Sequence, residues 1–172
     1  MIDAKKAVGA SALAIALAAG IVFPSEGDKT IGYADPVGIP TAGVGHTGAG
    51  VIVGKFYSDA IREGWLKYDL ASANAIVDKC APADITVYQR AAYISFAFNV
   101  GRGKKGVKDG FCTLKNGKTP SFLRKAWAGD VAGSCNGLLA WDTAKGRKLK
   151  GLTKRRKAER DMCIRTDKME IV

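Results

Sequence analysis

The sequence is poor in the residues that build metal centres. It has one histidine, His46, in 172 residues, and none of its four cysteines falls in a C-x-x-C spacing. A multi-histidine centre is excluded, and neither a zinc site nor any other cofactor is expected. Acidic residues are scarce as well, 16 Asp+Glu against 27 Lys+Arg, which leaves a net charge of +11. That balance implies an anionic partner: nucleic acid, an acidic membrane surface or an acidic polymer such as cell wall. The chain also lacks linker-like stretches, low-complexity segments and internal repeats. What is present, 47% hydrophobic residues with 25% charged, excludes disorder and suits one ordinary domain able to bury its own core.

The N-terminus carries the longest uncharged run. Ala7 to Phe23 are 17 residues without a charge, preceded by Lys5 and Lys6 and followed by Pro24. As a helix the run reaches about 25 Å, at the lower edge for a ~30 Å hydrocarbon core. Seven of the 17 are Ala, two are Gly and one is Ser, so the segment holds lipid weakly. The flanking lysines favour a cytoplasmic N-terminus and an exported body. Two other readings remain. A cleavable signal peptide fits the A-x-A triplets but lacks the polar stretch before a cleavage site. A buried helix of a cytosolic domain fits the alanines but not the paired lysines. Cys80, Cys112, Cys135 and Cys163 form an even set, which in an exported body points to two disulfides among three possible pairings.

Residues 27–54, rich in Gly, Thr and β-branched side chains, read as a turn-dense β-hairpin region. Helical patterns follow. Ser58 can cap a helix running to Cys80, and Thr86 can cap a second from Val87 to Val100 that is apolar almost all round, hence central, and ended by Gly101. Thr119-Pro120 opens a third, residues 130–141 form a short fourth, and Thr153 caps a basic last helix. The expected fold class is α+β, a small β lobe followed by a larger helical lobe, behind an N-terminal apolar helix.

Two motif matches fail on context. Gly43-Val44-Gly45-His46-Thr47-Gly48 fits G-x-G-x-x-G, yet it leads into further glycines instead of a helix, so it is no dinucleotide loop. Gly54-Lys55 lacks the rest of a phosphate-binding loop. The basic run 154–160 reads as a solvated face turned to an anionic substrate, and nucleic acid is not expected as a partner.

One constellation carries chemistry. Glu26 stands at the end of the apolar segment, Asp35 begins a turn at Asp35-Pro36, and Thr41 supplies a hydroxyl in the hairpin. Glycosidic cleavage needs two carboxyls in unlike environments, one protonated to donate to the leaving oxygen and one ionised. Glu26, beside apolar surface, is the candidate for a raised pKa, and Asp35, in a polar turn, the candidate to stay charged.

Glu26, eight residues, Asp35, five residues and Thr41, followed by Gly43-Val44-Gly45-His46-Thr47, resembles the phage-type lysozymes of glycoside hydrolase family 24. The resemblance spans residues 25 to about 165. It takes in Phe96-Ala97-Phe98-Asn99-Val100-Gly101, Trp141, and Gly151-Leu152 leading to Glu159-Arg160. It implies a lysozyme-like fold and an inverting muramidase, with Glu26 as general acid, Asp35 assisting across the ring and Thr41 holding the attacking water. It makes His46 structural, paired with an acid on the next helix, Asp69 above others. Arg155 or Arg156 should lie near Glu26, and Asn99 should line the cleft. It also supports pairing Cys80 with Cys112 and Cys135 with Cys163.

The weak N-terminal helix narrows the resemblance to signal-arrest-release endolysins of bacteriophages. That implies residues 1–24 as an uncleaved signal anchor and 25–172 as the catalytic domain. The partners are then peptidoglycan glycan strands and, before release, the host inner membrane. The enzyme would be a monomer, tethered with its body in the periplasm and then free there, lysing the host for phage release. No cysteine lies in the segment, so thiol exchange from it is excluded. Two other functions stand against this one: a cationic, non-enzymatic membrane-lytic or wall-binding protein, and a lytic transglycosylase, which needs one acid and makes an anhydro product.

Overall fold

A computed structural model of the chain describes residues 4–35, 38–48, 50–144 and 146–166, with side chains from residue 11. Helix α1, Ala4–Glu26, opens the fold. It does not stop at Pro24: proline removes only its own N–H, Ser25 Oγ donates to Ile21 O at 2.7 Å, and Gly27, at φ 71°, ends the helix. The turn thus falls just past Glu26.

Three antiparallel strands follow: β1 Lys29–Ala34, β2 Pro40–Gly43 and β3 His46–Thr47, in the order β1-β2-β3. Tyr33 faces Thr41, which faces Thr47, so Thr41 is central in the sheet and buried. The Gly43-x-Gly45 match is the tight turn between β2 and β3, with both glycines at positive φ. Gly32 is required for another reason: a Cβ there would lie 2.2 Å from the carbonyl oxygen of Ile52.

The helical lobe comprises α2 Asp59–Cys80, α3 Val87–Val100, α4 Ser121–Trp127, α5 Val131–Gly137 and α6 Lys150–Cys163. Thr86 caps α3 by accepting from Gln89 N at 3.0 Å, and Gly101, at φ 69°, closes it, as the sequence led us to expect. Other boundaries differ. Ser58 stands at the N-cap of α2 without a side-chain cap bond, and Pro120 precedes α4 instead of opening it. The 130–141 stretch divides into α5 and a 3₁₀ turn, Leu138–Ala140. Helix α6 starts three residues before Thr153, whose hydroxyl donates to Asp142 at 2.9 Å and ties α6 to the β4–β5 ribbon, Thr143–Ala144 with Arg147–Lys148.

Helix α3 is the centre, with Ala91, Ala92, Tyr93, Ile94 and Phe96 sealed from solvent, and α1, α2 and α6 pack around it. Helix α1 meets it along Ala14, Ala18 and Val22, spaced four apart and wholly buried. No helix among the described residues is long and apolar enough to cross a membrane. Cys80 bonds Cys112 and Cys135 bonds Cys163, each pair with Cα atoms 5.6 Å apart. The first bond pins the end of α2 to the α3–α4 connection, and the second, fully buried, pins α5 to the end of α6.

Candidate active site

Glu26 is the last residue of α1, so its place follows from the docking of that helix. One carboxylate oxygen accepts from Arg155 Nη1, and the other lies 3.6 Å from where a Cβ on Gly45 would stand. The Glu26 side chain remains partly exposed, whereas Arg155 is buried. Its immediate partner is therefore a guanidinium; the residues read alone suggest apolar surface, and the resemblance an arginine near Glu26.

Asp35 and Thr41 meet at Ile39. The Asp35 carboxylate accepts from Ile39 N at 2.8 Å, and Asp35 N donates to Ile39 O at 3.0 Å. The Thr41 hydroxyl donates to that same carbonyl, also at 3.0 Å. Both chemical groups are thereby fixed to one short span of hairpin, which continues through Gly43 to the turn against Glu26.

Behind Glu26 lies a buried polar network on α6. Arg155 Nε donates to Glu159 Oε1 at 3.1 Å, and its Nη2 donates to Ser95 O at 3.0 Å. Ser95 Oγ donates to Glu159 Oε1 at 2.8 Å. Arg156 Nη1 donates to Glu159 Oε2, Nη2 to Asn99 Oδ1, and Nε to Trp141 O at 3.1 Å. The Arg156 guanidinium also lies 4.5 Å over the Phe96 ring. Burial, only partly offset by Glu159, holds that guanidinium below the usual arginine range. Both arginines thus belong to the core, while Lys154 and Lys157 of the same run face solvent. Asn99 serves this network as an acceptor.

Glu159 enters the sequence reading only as part of the resemblance, and Ser95 has no site role there. Their signal was present: Glu159 stands three and four residues after the two arginines, so all three can meet on one helical face.

His46 pairs with Asp69, its Nδ1 2.8 Å from Oδ2, and stacks on Trp65 with ring centroids 4.6 Å apart. It fastens the turn to α2. Next to it, a cavity of about 220 Å³ runs between the turn and the α2 and α3 helices, lined by Gly45, Thr47, Asp69, Phe98 and Gly101 among others. Gly45 therefore borders both this cavity and the Glu26 carboxylate. The lobes are joined once more by Arg62, which forks onto Asp28 (2.7 and 2.8 Å) and reaches Asp59 at 2.9 Å. The guanidinium holds the Asp28 carboxyl below its ordinary range.

Two carboxyls, a buried hydroxyl, a cationic hub and an adjoining cleft are a set of groups suited to acid-assisted cleavage of a sugar chain. Comparison with known proteins agrees. Residues 24–159 match the phage lysozyme family. The SAR-endolysin of Enterobacteria phage PA-2 is 36% identical over 163 residues, covering 92% of this chain and 91% of its own length. The SAR-endolysin of Enterobacteria phage P21 gives the same identity and coverage. Among solved structures, the active form of the P1 phage endolysin Lyz matches with a TM-score of 0.73 at 25% identity, covering 86% of this chain and 82% of that one. The chain belongs to the phage lysozyme family, and with it to the hydrolases that cleave glycosidic bonds. Its fold is lysozyme-like, α+β, with six α-helices and small antiparallel sheets among the described residues.

Proposed function

We propose that this chain is an endolysin: an inverting muramidase that hydrolyses the β-1,4 bond between N-acetylmuramic acid and N-acetylglucosamine in peptidoglycan. Glu26 donates a proton to the leaving glycosidic oxygen. Asp35, ionised, favours the oxocarbenium-like transition state, and Thr41 helps hold the water that attacks from the opposite face. The observation that carries this reading is the position of Glu26, held by Arg155 and set against the Gly45 turn of the hairpin that bears Asp35 and Thr41.

The same position supports a tethered, inactive form. Glu26 lies three residues beyond Phe23. While residues 1–24 span the host inner membrane, Glu26 is confined to the headgroup layer and cannot reach Arg155 and Gly45. Leaving the bilayer lets Ala14, Ala18 and Val22 seat on α3 and brings Glu26 into place. The alanines suit both states, since a leucine-rich segment would stay in lipid. The match to the SAR-endolysin of phage PA-2 covers 92% of this chain, more than the residues after Phe23 make up, so that similarity reaches into the segment. After release the monomer acts in the periplasm.

Purified peptidoglycan digested with the parent chain and with Glu26→Gln tests the enzymatic reading. New reducing ends, lost in the variant, are expected. Anhydro ends would make the protein a lytic transglycosylase, and undiminished lysis by Glu26→Gln would make it a non-enzymatic cationic lysin. Fractionating expressing cells with and without an uncoupler, while following intact mass, tests the tether. Uncleaved chain should move from membrane to periplasm on depolarisation.

A further inference from the structure

We infer that Glu159 is a positioning residue for Glu26, acting through Arg155. The inference rests on the proposed role of Glu26 as general acid. Glu159 is fully buried, as is Arg156, and Arg155 is nearly so. Burying two adjacent guanidinium groups is costly without a counter-charge, and Glu159 meets both, one carboxylate oxygen to each.

The hydrogen-bond geometry assigns it more than neutralisation. A guanidinium is planar, so two fixed contacts orient the whole group. Arg155 is fixed by Glu159 at Nε and by the Ser95 carbonyl at Nη2, which leaves Nη1 for Glu26. Glu159 is itself held, by the Ser95 hydroxyl and by Arg156, which is anchored on Asn99 and the Trp141 carbonyl. The chain of contacts runs from three separate elements to one N–H aimed at the carboxylate.

Charge follows the same logic. Arg155, Arg156 and Glu159 together carry one positive charge, so the cluster is neutral with Glu26 ionised and singly positive with Glu26 protonated. Without Glu159 it would be positive in both states, and protonation of Glu26 would have to occur beside two uncompensated cations. Asp28, the acidic residue two positions on in the chain, is taken up by Arg62.

The test is Glu159→Gln, with Glu159→Asp as the conservative variant, assayed for reducing ends across pH beside the parent and Glu26→Gln. Thermal unfolding monitors the fold. For Glu159→Gln we expect kcat to fall ~10–100-fold with KM within about two-fold, as for loss of a positioning contact. The alkaline limb of its kcat profile should move to lower pH by ~1 unit, because the added net positive charge disfavours protonated Glu26. Glu159→Asp should keep the limb near the parent's. A folded Glu159→Gln with the parent's kcat and pH profile overturns the inference, as does a loss of kcat with the limb unmoved. If Glu159→Gln fails to fold, Ser95→Ala decides: a several-fold lower kcat with the limb unmoved upholds positioning, and an unchanged kcat overturns it. If the parent itself releases no reducing ends, the enzymatic reading falls and the contact is read by NMR. A slowly exchanging Arg155 Nε–H signal lost in Glu159→Gln upholds positioning, and an unchanged signal overturns it.

Discussion

Gly45 lies beside the Glu26 carboxylate with room between them for a β-carbon at ordinary van der Waals distance. Gly45 sits at φ 73°, and the Glu26 carboxylate occupies the space 3.6 Å from its absent Cβ. A side chain would fit that space only at van der Waals contact, so the cost of replacing Gly45 is set by its left-handed backbone. Gly45→Ala should lose about 1–2 kcal/mol of stability. As the turn shifts against Glu26, reducing-end release should fall too. Thermal melts and kcat measured on one preparation check both.

Glu26→Gln and Asp35→Asn should fold with parent-like melting curves and lose most activity, Glu26→Gln the more severely. A general acid contributes roughly 10²–10⁴-fold. Parent-like turnover in Glu26→Gln would remove Glu26 from the mechanism.

The Asp28–Arg62 fork gives stability a pH signature. Asp28 has its pKa lowered in the folded state, first by the hydrogen bond from Arg62. Its contribution is therefore present above the ordinary carboxylate pKa of about 3.9 and disappears as pH falls through the lowered value. Asp28→Asn should lower Tm at pH 7, and the gap to the parent should narrow as pH falls below the ordinary carboxylate range. A gap independent of pH would show that the loss lies in packing.

Each disulfide should stabilise by roughly 2–4 kcal/mol. The Cys135–Cys163 bond is buried between α5 and α6, so the Cys135→Ser/Cys163→Ser double variant should unfold at lower denaturant than Cys80→Ser/Cys112→Ser, whose bond lies near the surface. Denaturant midpoints of the two variants check the order.

The two faces of α1 differ in burial, which lets the proposed membrane retention be tested apart from packing. Ala12 and Ala16 face solvent, whereas Ala14 and Ala18 are sealed against α3. Ala12→Leu/Ala16→Leu should leave the folded enzyme active in vitro yet hold more of it in the membrane fraction of expressing cells. Leucines at 14 and 18 should overpack the core and cost about 1–3 kcal/mol each. If Ala12→Leu/Ala16→Leu lyses on the parent's schedule, the anchor proposal fails.

Much of this was legible in the sequence where one local cause dominates. Helix α3 declares itself by being apolar on every face, Thr86 and Gly101 mark its ends, and the glycines of 43–45 mark a tight turn. What stayed hidden depends on groups arriving from elsewhere. The resemblance puts Arg155 or Arg156 near Glu26, but composition alone reads both as solvated like Lys154 and Lys157, because only the convergence of Ser95, Asn99 and the Trp141 carbonyl makes their side of α6 an interior. Thr153 has the chemistry of a cap, but Asp142 claims its hydroxyl. Pro24 looked like a terminator, yet the helix lasts until Gly27 can turn it.

The bond between Glu26 and Arg155 spans 129 residues of sequence. A ribosome makes these two residues at opposite ends of its work, so Arg155 arrives long after the hairpin that faces Glu26 has been made. No truncated product ending before α6 can assemble the centre, however well its hairpin folds. Fragments from premature termination therefore never hold Glu26 against a guanidinium, and only a molecule that has its own final helix can do so.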